Sequence, residues 1–237
     1  MSDTAERYAV YFVPPHDSAL AAFGRSWLGY DIATGEPVEH SAFKGIAPTR
    51  LKALTSGPRP YGFHGTIKPP FKLAPTVSLD GLLTATRICA ASSTPADIPP
   101  LEVVTIGKFV ALSPIKSSLK LEGLATNFVR ALEGFRRHQT DKEMARYRQN
   151  KLTVHQEQMV DHWGYPFVLE EFRFHMTLSD RIDDEDERAD VLAAAHAACE
   201  DLLGQSVPVK EVAVCMQPSA RDAMRVIQRI PLGRNPS

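Results

Sequence analysis

Two short motifs in this sequence place a histidine two residues before a threonine, His64-Gly65-Thr66 and His175-Met176-Thr177. In-line cleavage of a phosphodiester needs a base for the nucleophile and an acid for the leaving oxygen. Two histidines can divide these tasks because imidazole titrates near neutral pH. The phosphoryl oxygens gain charge as the bond breaks, and threonine hydroxyls can stabilise that charge. The motifs therefore predict general acid–base chemistry with His64, Thr66, His175 and Thr177 as catalytic residues.

Both motifs lie in segments where apolar and polar residues alternate, as they do in a half-buried strand. The alternation predicts that each strand has an apolar face and a polar face, and that the polar face carries the histidine and the threonine. A third match, His138-Gln139-Thr140, stands at a predicted helix end without this alternation, and we attribute it to chance. Further candidates for substrate contact, against the alternatives of strand-edge charge or packing at a cleft rim, are Lys68, Arg173, Ser179, Tyr11 and Tyr61.

The elements around the motifs are strands and helices without strict β-α-β alternation, which favours an α+β fold with antiparallel sheets. Residues 118–121 are predicted to pair as a hairpin with a long strand at 101–112, in which Gly107 forms a bulge. The remaining predicted strands are 8–13, 61–68, 172–179, 209–216 and 225–230, and the predicted helices are 18–30, a short one from Pro48, 78–92, 123–137, 141–162 and 183–203.

Longer stretches around the motifs resemble the 2H phosphoesterase superfamily, within it the branch named for phosphonate metabolism. The similarity runs from about Arg7 to Leu232, and the stretches that carry it are 7–12, 59–68, 163–169 and 171–178. The resemblance implies two pseudo-symmetric lobes of antiparallel sheet flanked by helices, with the two His-x-Thr strands facing a central cleft. It also implies hydrolysis of a cyclic or linear phosphodiester without metal, in organophosphonate breakdown, where a ribose cyclic phosphate is a plausible substrate.

We expect one bilobal domain over residues 1–237, with disordered ends at about 1–6 and 233–237. The segment 133–166 is long for a minimal member of the superfamily, and it could shape the substrate pocket. Replacing either His64 or His175 by alanine should remove activity and leave folding intact.

Composition limits the possible partners. The net charge of −1 and the pI near 6.7 show no basic surplus, which argues against long nucleic acid and favours a small phosphodiester. No apolar run reaches the length of a membrane span, and three cysteines without a Cys-x-x-Cys pair indicate reduced core residues in a cytoplasmic protein. No cofactor is expected, since the sequence has no phosphate-cradling Walker loop and no dinucleotide glycine pattern. His155 and His162 do not have a recognised metal spacing, so no metal site is predicted.

Two alternatives stay open. One is an RNA-end activity on 2′,3′-cyclic phosphates or 2′-5′ linkages, against which the weak basicity argues. The other is a protein that binds a phosphorylated ligand without turnover, against which the two intact motifs argue. The sequence alone does not indicate a protein partner.

Overall fold

The computed structural model describes residues 6–149 and 151–233, so most of the two ends that we expect to be disordered lies outside the described residues. The strands are β1 Arg7–Phe12, β2 Tyr30–Asp31, β3 Glu36–Pro37, β4 Gly65–Phe71, β5 Ala96–Ile98, β6 Leu101–Ile106, β7 Phe109–Pro114, β8 Met176–Thr177, β9 Val207–Val209, β10 Glu211–Gln217 and β11 Arg225–Pro231. The helices are α1 Ala19–Leu28, α2 Pro48–Leu54, α3 Leu79–Ser92, α4 Leu119–Ala131, α5 Asp141–Arg148, α6 Val154–Trp163 and α7 Glu185–Cys199.

Two antiparallel sheets carry the two motifs. The first has the strand order β11-β10-β1-β4, and the second has the order β6-β7-β8. His64 directly precedes β4, and His175 directly precedes β8. The prediction of an α+β fold with antiparallel sheets flanked by helices is confirmed.

The first sheet packs one face on the main hydrophobic core. Along β1, Tyr8, Val10 and Phe12 point into that core, which also holds residues of α1, α3, α4 and α7. Tyr11 belongs to a smaller cluster on the opposite face. The period of two along β1 thus separates a core face from the face that carries the cleft described below.

The long strand predicted at 101–112 is wrong, because the chain reverses within it. Gly107 has φ +59°, a left-handed conformation that glycine adopts without strain, and it turns β6 back onto β7 as a hairpin. The hairpin expected at 118–121 is also wrong. Ser118 instead caps α4, its hydroxyl accepting a hydrogen bond from the Leu121 amide.

The second motif lies in a much shorter strand than the predicted 172–179. The β7–β8 pairing covers only two residue pairs. Beyond it the amides of Leu178 and Ser179 both donate to the Val110 carbonyl, while the Val110 amide donates to the Ser179 hydroxyl at 2.9 Å. The Ser179 hydroxyl thus takes the place of a backbone carbonyl as the acceptor for Val110, and the β7–β8 pairing ends there. In the first motif, likewise, the strand begins at Gly65 and follows a 3₁₀ turn at Arg59–Tyr61.

The helices largely match the predicted spans, with two differences. The polar segment 141–162 forms two helices, α5 and α6, and a threonine begins each of them with a reciprocal capping box, Thr140 with Glu143 and Thr153 with Gln156. Helix α4 spans Leu119–Ala131 instead of the predicted 123–137, because Ser118 caps a start four residues earlier and a 3₁₀ turn at Glu133–Phe135 follows it. Among the described residues, no helix combines the length and the apolar composition that a membrane crossing requires.

Candidate active site

Each motif histidine is held by the carbonyl two residues before it. His64 Nδ1 lies 2.9 Å from the Gly62 carbonyl oxygen, and His175 Nδ1 lies 2.8 Å from the Arg173 carbonyl oxygen. A carbonyl only accepts, so Nδ1 carries the proton and donates it. In the neutral ring Nε2 is then the free acceptor. The same contact in both halves fixes the same tautomer in both histidines.

The threonine of the first motif lies beside this free nitrogen. Thr66 Oγ1 is 3.3 Å from His64 Nε2. Thr177 lies two residues after His175, in the pairing of β8 with β7 opposite Ala111. Both threonines are half-buried and line the same cleft.

Both motifs line one cleft of about 490 Å³. Gly65 and Phe174 bring them close: a Cβ on Gly65 would overlap the Phe174 ring, so glycine at this position lets the residue before the second histidine pack against the first motif. The residues that line the cleft are Arg7, Tyr11, Gly57, Pro58, Tyr61, Gly62, His64, Thr66, Pro70, Phe109, Tyr147, Tyr165, His175, Thr177, Ser179, Asp180 and Arg181.

Tyr11 supports the first histidine from the neighbouring strand. β1 pairs with β4 so that Tyr11 lies opposite Thr66, and the Tyr11 ring stacks on the His64 ring with centroids 3.7 Å apart and planes 20° apart. Burial raises the pKa of the Tyr11 hydroxyl well above its usual value, so the ring stays neutral. Tyr11 therefore restricts the rotation of the His64 ring.

Both histidines favour the neutral form in the free protein. The pKa of His64 is lowered to about 4, chiefly by burial and to a smaller extent by the nearby His175, against the opposing hydrogen bond to the Gly62 carbonyl. Burial also lowers the pKa of His175, opposed by its hydrogen bond to the Arg173 carbonyl. An anionic ligand in the cleft would favour the protonated form of either ring and raise its pKa.

Lys68, predicted on the same face as His64 and Thr66, points away from the cleft. The register of β1 with β4 pairs Tyr11 with Thr66 and Val10 with Lys68, which leaves Ile67 as an extra residue. This bulge turns Lys68 to the other face. There its ammonium donates to the Val129 carbonyl at 3.1 Å and to Glu133 at 3.2 Å.

The other predicted substrate contacts divide between the cleft and its surroundings. Tyr61 and Ser179 line the cleft, although the Ser179 hydroxyl is already engaged by Val110 and by the Asp180 carbonyl. Arg173 is exposed and points elsewhere, since its guanidinium donates to the carbonyls of Glu170 and Phe172.

Sequence analysis missed five polar residues of the cleft, Arg7, Tyr147, Tyr165, Asp180 and Arg181. The two-residue period of a strand could have predicted two of them. Arg181 continues the series of alternate residues 175, 177 and 179, and Arg7 lies on the same face of β1 as Tyr11. Tyr147 and Tyr165 come from the long segment 133–166, whose helices have local capping signals but whose position against the cleft depends on tertiary packing. Burial raises the pKa of Tyr165 to about 12, so its hydroxyl remains a donor at neutral pH.

The two other histidines considered for metal binding are engaged separately. His155 Nε2 lies 3.0 Å from a Glu170 carboxylate oxygen, and His162 Nδ1 lies 2.8 Å from the Gln158 carbonyl oxygen. Within residues 6–149 and 151–233, no three His, Cys, Asp or Glu side chains are grouped so that they could hold a metal ion.

Comparison with known proteins gives relatives that are about twice as long. The chain is 34% identical over 221 residues to a ribose 1,5-bisphosphate phosphokinase PhnN from Janthinobacterium sp. (strain Marseille), covering 93% of this chain and 48% of the relative. The PhnN of Laribacter hongkongensis is 30% identical over 225 residues, covering 94% of this chain and 51% of the relative. The chain thus spans about half the length of the curated relatives it matches.

Among solved structures, TT0787 of Thermus thermophilus is similar at 14% identity and a TM-score of 0.47, with 98% of this chain and 100% of that chain covered. Escherichia coli LigT, solved in complex with 3′-AMP, is similar at 14% identity and a TM-score of 0.44, with 97% and 99% covered. A family model described as "Protein of unknown function (DUF1045)" matches residues 66–225, which include most of β4, both threonines and the second histidine. Because this match covers more than half of the chain, the chain belongs to the DUF1045 family.

Proposed function

We propose that this protein is a metal-independent phosphodiesterase that hydrolyses a small phosphodiester with His64 and His175 as its general base and general acid. One observation carries the proposal. Two histidines from different sheets line one cleft, and each is held by the carbonyl two residues earlier in the tautomer that leaves Nε2 free. General acid–base catalysis requires such a pair, one ring neutral and one protonated.

Hydrolysis would proceed by attack of a water oxygen on phosphorus, in line with the oxygen that leaves. One Nε2 removes a proton from the water as the new P–O bond forms. The other Nε2–H gives a proton to the leaving oxygen as the old bond breaks. Thr66 and Thr177 hold the non-bridging oxygens, on which negative charge increases.

The electrostatics of the free protein suggest which histidine takes which role. His64, with its pKa lowered to about 4, is neutral at pH 7 and suits the base. His175 is assigned the acid, and it becomes protonated when the anionic phosphodiester enters beside it. The stacked Tyr11 ring keeps His64 oriented for proton removal.

The substrate class that we propose is a ribose cyclic phosphate, in keeping with organophosphonate breakdown. The matching curated relatives are named for phosphorylation of ribose 1,5-bisphosphate, and this chain matches only about half of their length. The chain has no glycine-rich Walker loop of the kind that cradles a nucleotide triphosphate. Opening a cyclic phosphate on ribose yields a ribose phosphate, the class of compound that the relatives' name gives as their substrate.

A turnover assay tests the proposal. Ribose 1,2-cyclic phosphate and nucleoside 2′,3′-cyclic phosphates are incubated with the full chain in EDTA, alongside the His64→Ala and His175→Ala variants. We expect EDTA-resistant hydrolysis that both variants lose. Preference for the nucleotides would move the assignment to RNA ends, and binding of these compounds without turnover would show a ligand-binding protein instead.

A further inference from the structure

Asp180 joins the segment of the second motif to the loop that leads to the first. Its carboxylate oxygen Oδ2 accepts two hydrogen bonds, one from the Ser56 hydroxyl and one from the Gly57 amide, each at 2.8 Å. Its own amide donates to the Leu54 carbonyl at 2.6 Å. Hydrogen bonds to a carboxylate are stronger than those between neutral groups. We call these three contacts the Asp180 clamp.

The loop that the Asp180 clamp holds, residues 55–62, runs from the end of α2 to the carbonyl that fixes the tautomer of His64. The Arg59 amide donates to the Thr55 carbonyl, and the Gly62 amide donates to the Arg59 carbonyl, both at 2.9 Å. Gly62 has φ +68°, which glycine adopts without strain, and its carbonyl accepts from His64. Each part of the loop is thus bonded to the part before it. A displacement of the clamped end is therefore passed on to the His64 ring.

The other anchors of this loop tie it to different parts of the molecule. The Arg59 guanidinium donates to the Leu28 carbonyl at the end of α1 at 2.8 Å. The Pro60 carbonyl accepts from the Met224 amide, just before β11, at 2.6 Å. Within residues 6–149 and 151–233, the hydrogen bonds that join this loop to the second-motif segment all come from Asp180. The Asp180 clamp therefore sets where the loop lies relative to the second motif.

The absence of a side chain at Gly57 allows the carboxylate to come this close. The three heavy atoms nearest to a Cβ built on Gly57 all belong to the Asp180 carboxyl group, with Oδ1 at 1.9 Å. Gly57 does not have a positive φ, so alanine there would disturb the contact and not the backbone. Both residues line the cleft. The contact thus forms part of the cleft wall that both histidines share.

We propose that Asp180 is a positioning residue, whose clamp holds the loop against the second motif and so sets the place of His64 relative to His175. The inference rests on the proposed function, because two-histidine catalysis requires the two rings to reach opposite ends of one in-line displacement. A shift of about 1 Å in one reacting group lowers a rate by up to roughly 100-fold. Asp180 acts through the loop, and the proton transfers stay with the two histidines.

Three variants test the hydrogen bonds of Asp180 in the turnover assay. Because both side-chain bonds go to one oxygen, Asp180→Asn can keep them with its amide oxygen, whereas Asp180→Ala loses both. Asp180→Ala should lower kcat roughly 10- to 100-fold and change KM less than about threefold, since the geometry matters in the transition state. Asp180→Asn should recover most of that loss. Asp190→Ala, which removes an exposed carboxylate of α7 outside the cleft, is the matched control and should match the wild type.

Wild-type kcat in Asp180→Ala would overturn the inference. An equal loss in Asp180→Asn would also overturn it, because the charge of the side chain and not its hydrogen bonds would then be responsible.

Gly57→Ala tests the same contact from the loop side. Its methyl group would displace the Asp180 carboxylate of the wild type, but it meets no carboxylate in the Asp180→Ala background. Gly57→Ala alone should therefore lower kcat about as much as Asp180→Ala does. The double variant should lose little more than the worse single variant. Losses that multiply in the double variant would contradict the inference.

NMR of the imidazole nitrogens separates failure of this inference from failure of the proposed function, because it requires no turnover. In the wild type at neutral pH, His64 should show a proton on Nδ1 and a bare Nε2. In Asp180→Ala the two nitrogen signals of His64 should move towards each other as the ring samples both tautomers. The signals of His175, which the Arg173 carbonyl holds, should stay in place.

Unchanged His64 signals in Asp180→Ala would overturn the inference even in an active enzyme. Changed signals would support it even if no phosphodiester in the assay is hydrolysed. Thermal melting of each variant establishes that the spectra and rates come from folded protein. If Asp180→Ala does not fold, the His64 signals and kcat of Gly57→Ala decide between the same two outcomes.

Discussion

The hydrogen bond on Nδ1 makes each motif histidine suitable for proton transfer. A carbonyl two residues earlier holds the ring at 2.9 Å in His64 and 2.8 Å in His175, so each proton enters or leaves through Nε2. Sequence spacing alone does not show this contact, because it depends on the turns that precede β4 and β8. The motifs predicted that the two histidines and two threonines would lie together at one cleft, whereas they did not predict the tautomers of the histidines.

The lowered pKa values of the two histidines predict an acidic activity profile. Under the proposed mechanism, the productive free form has His64 neutral, with its pKa near 4, and His175 protonated, with its pKa below its ordinary value of 6.5. Since kcat/KM reports the free enzyme, its maximum should lie between these two pKa values and below pH 6.5. Initial rates at low substrate from pH 4 to 9 measure it. A maximum above pH 7 would disagree with the burial of these rings.

The assignment of acid and base predicts different responses to the leaving group. In a p-nitrophenyl diester the leaving group is p-nitrophenolate, which departs as a stable anion and so needs no general acid. On such a diester His175→Ala should retain activity within about tenfold of wild type, although it loses roughly a hundredfold or more on an alkyl leaving group. His64→Ala should lose activity on both substrates, because the base is still required. The reverse pattern would exchange the two roles.

Two predicted substrate contacts, Lys68 and Arg173, lie outside the cleft, and the cleft residue Arg181 was overlooked. Strand alternation placed Lys68 beside Thr66, but a bulge at Ile67 turns it into an ion pair with Glu133. The alternation that runs through His175, Thr177 and Ser179 reaches Arg181. A bulge changes the parity of a strand at one residue. Pro69 and Pro70 mark β4 as irregular, but only the register of β4 with β1 places the bulge at Ile67.

Among the elements, the contact of Gly65 with Phe174 brings the two strands of the site together. Gly65→Ala would place a methyl group against the Phe174 ring, and we expect it to lower the free energy of unfolding by about 1–3 kcal/mol. Gly123→Ala in α4 is the matched control, since nothing lies within 4 Å of its new Cβ and it should stabilise by roughly 0.5–1 kcal/mol. Urea denaturation measures both. Equal effects from the two substitutions would mean that the motifs are not packed through Gly65.

Helices were predicted better than strands in this chain. Serine and threonine caps mark the starts of α1, α3 and α5 within a few residues of sequence, and the acidic first turn and the following Gly204 bracket α7. The cap Thr153, which starts α6, was overlooked inside the single helix predicted at 141–162. The β6–β7 hairpin and the two-residue β8 depend on distant partners. Val110 and Ser179, 69 residues apart, decide where β8 ends. The local sequence of either segment does not predict such a pairing, because the pairing depends on both segments.

At the scale of the whole molecule, the site exists only where the two halves of the chain meet. Trp27 of α1 donates its indole N–H to the Leu178 carbonyl at 2.8 Å in the buried core, which ties an early helix to the second motif. Composition gives a net charge of −1 for the chain and does not show the cluster of cations beside the cleft. These cations are Arg7, Lys68, Lys72, Arg136 and Arg137. The fold class was predictable from the order of the elements, but the position of charge on the molecule required the tertiary structure.

The central claim is that two histidines from separate sheets act as one catalytic unit, and a double-mutant cycle on kcat/KM tests it most directly. Wild type, His64→Ala, His175→Ala and the double variant are assayed on the best cyclic phosphodiester, with circular dichroism to confirm folding. Each single variant should lose about 10² to 10⁴-fold, and the double variant should lose little more than the worse single. Wild-type turnover in either single variant, or losses that multiply in the double variant, would contradict the account.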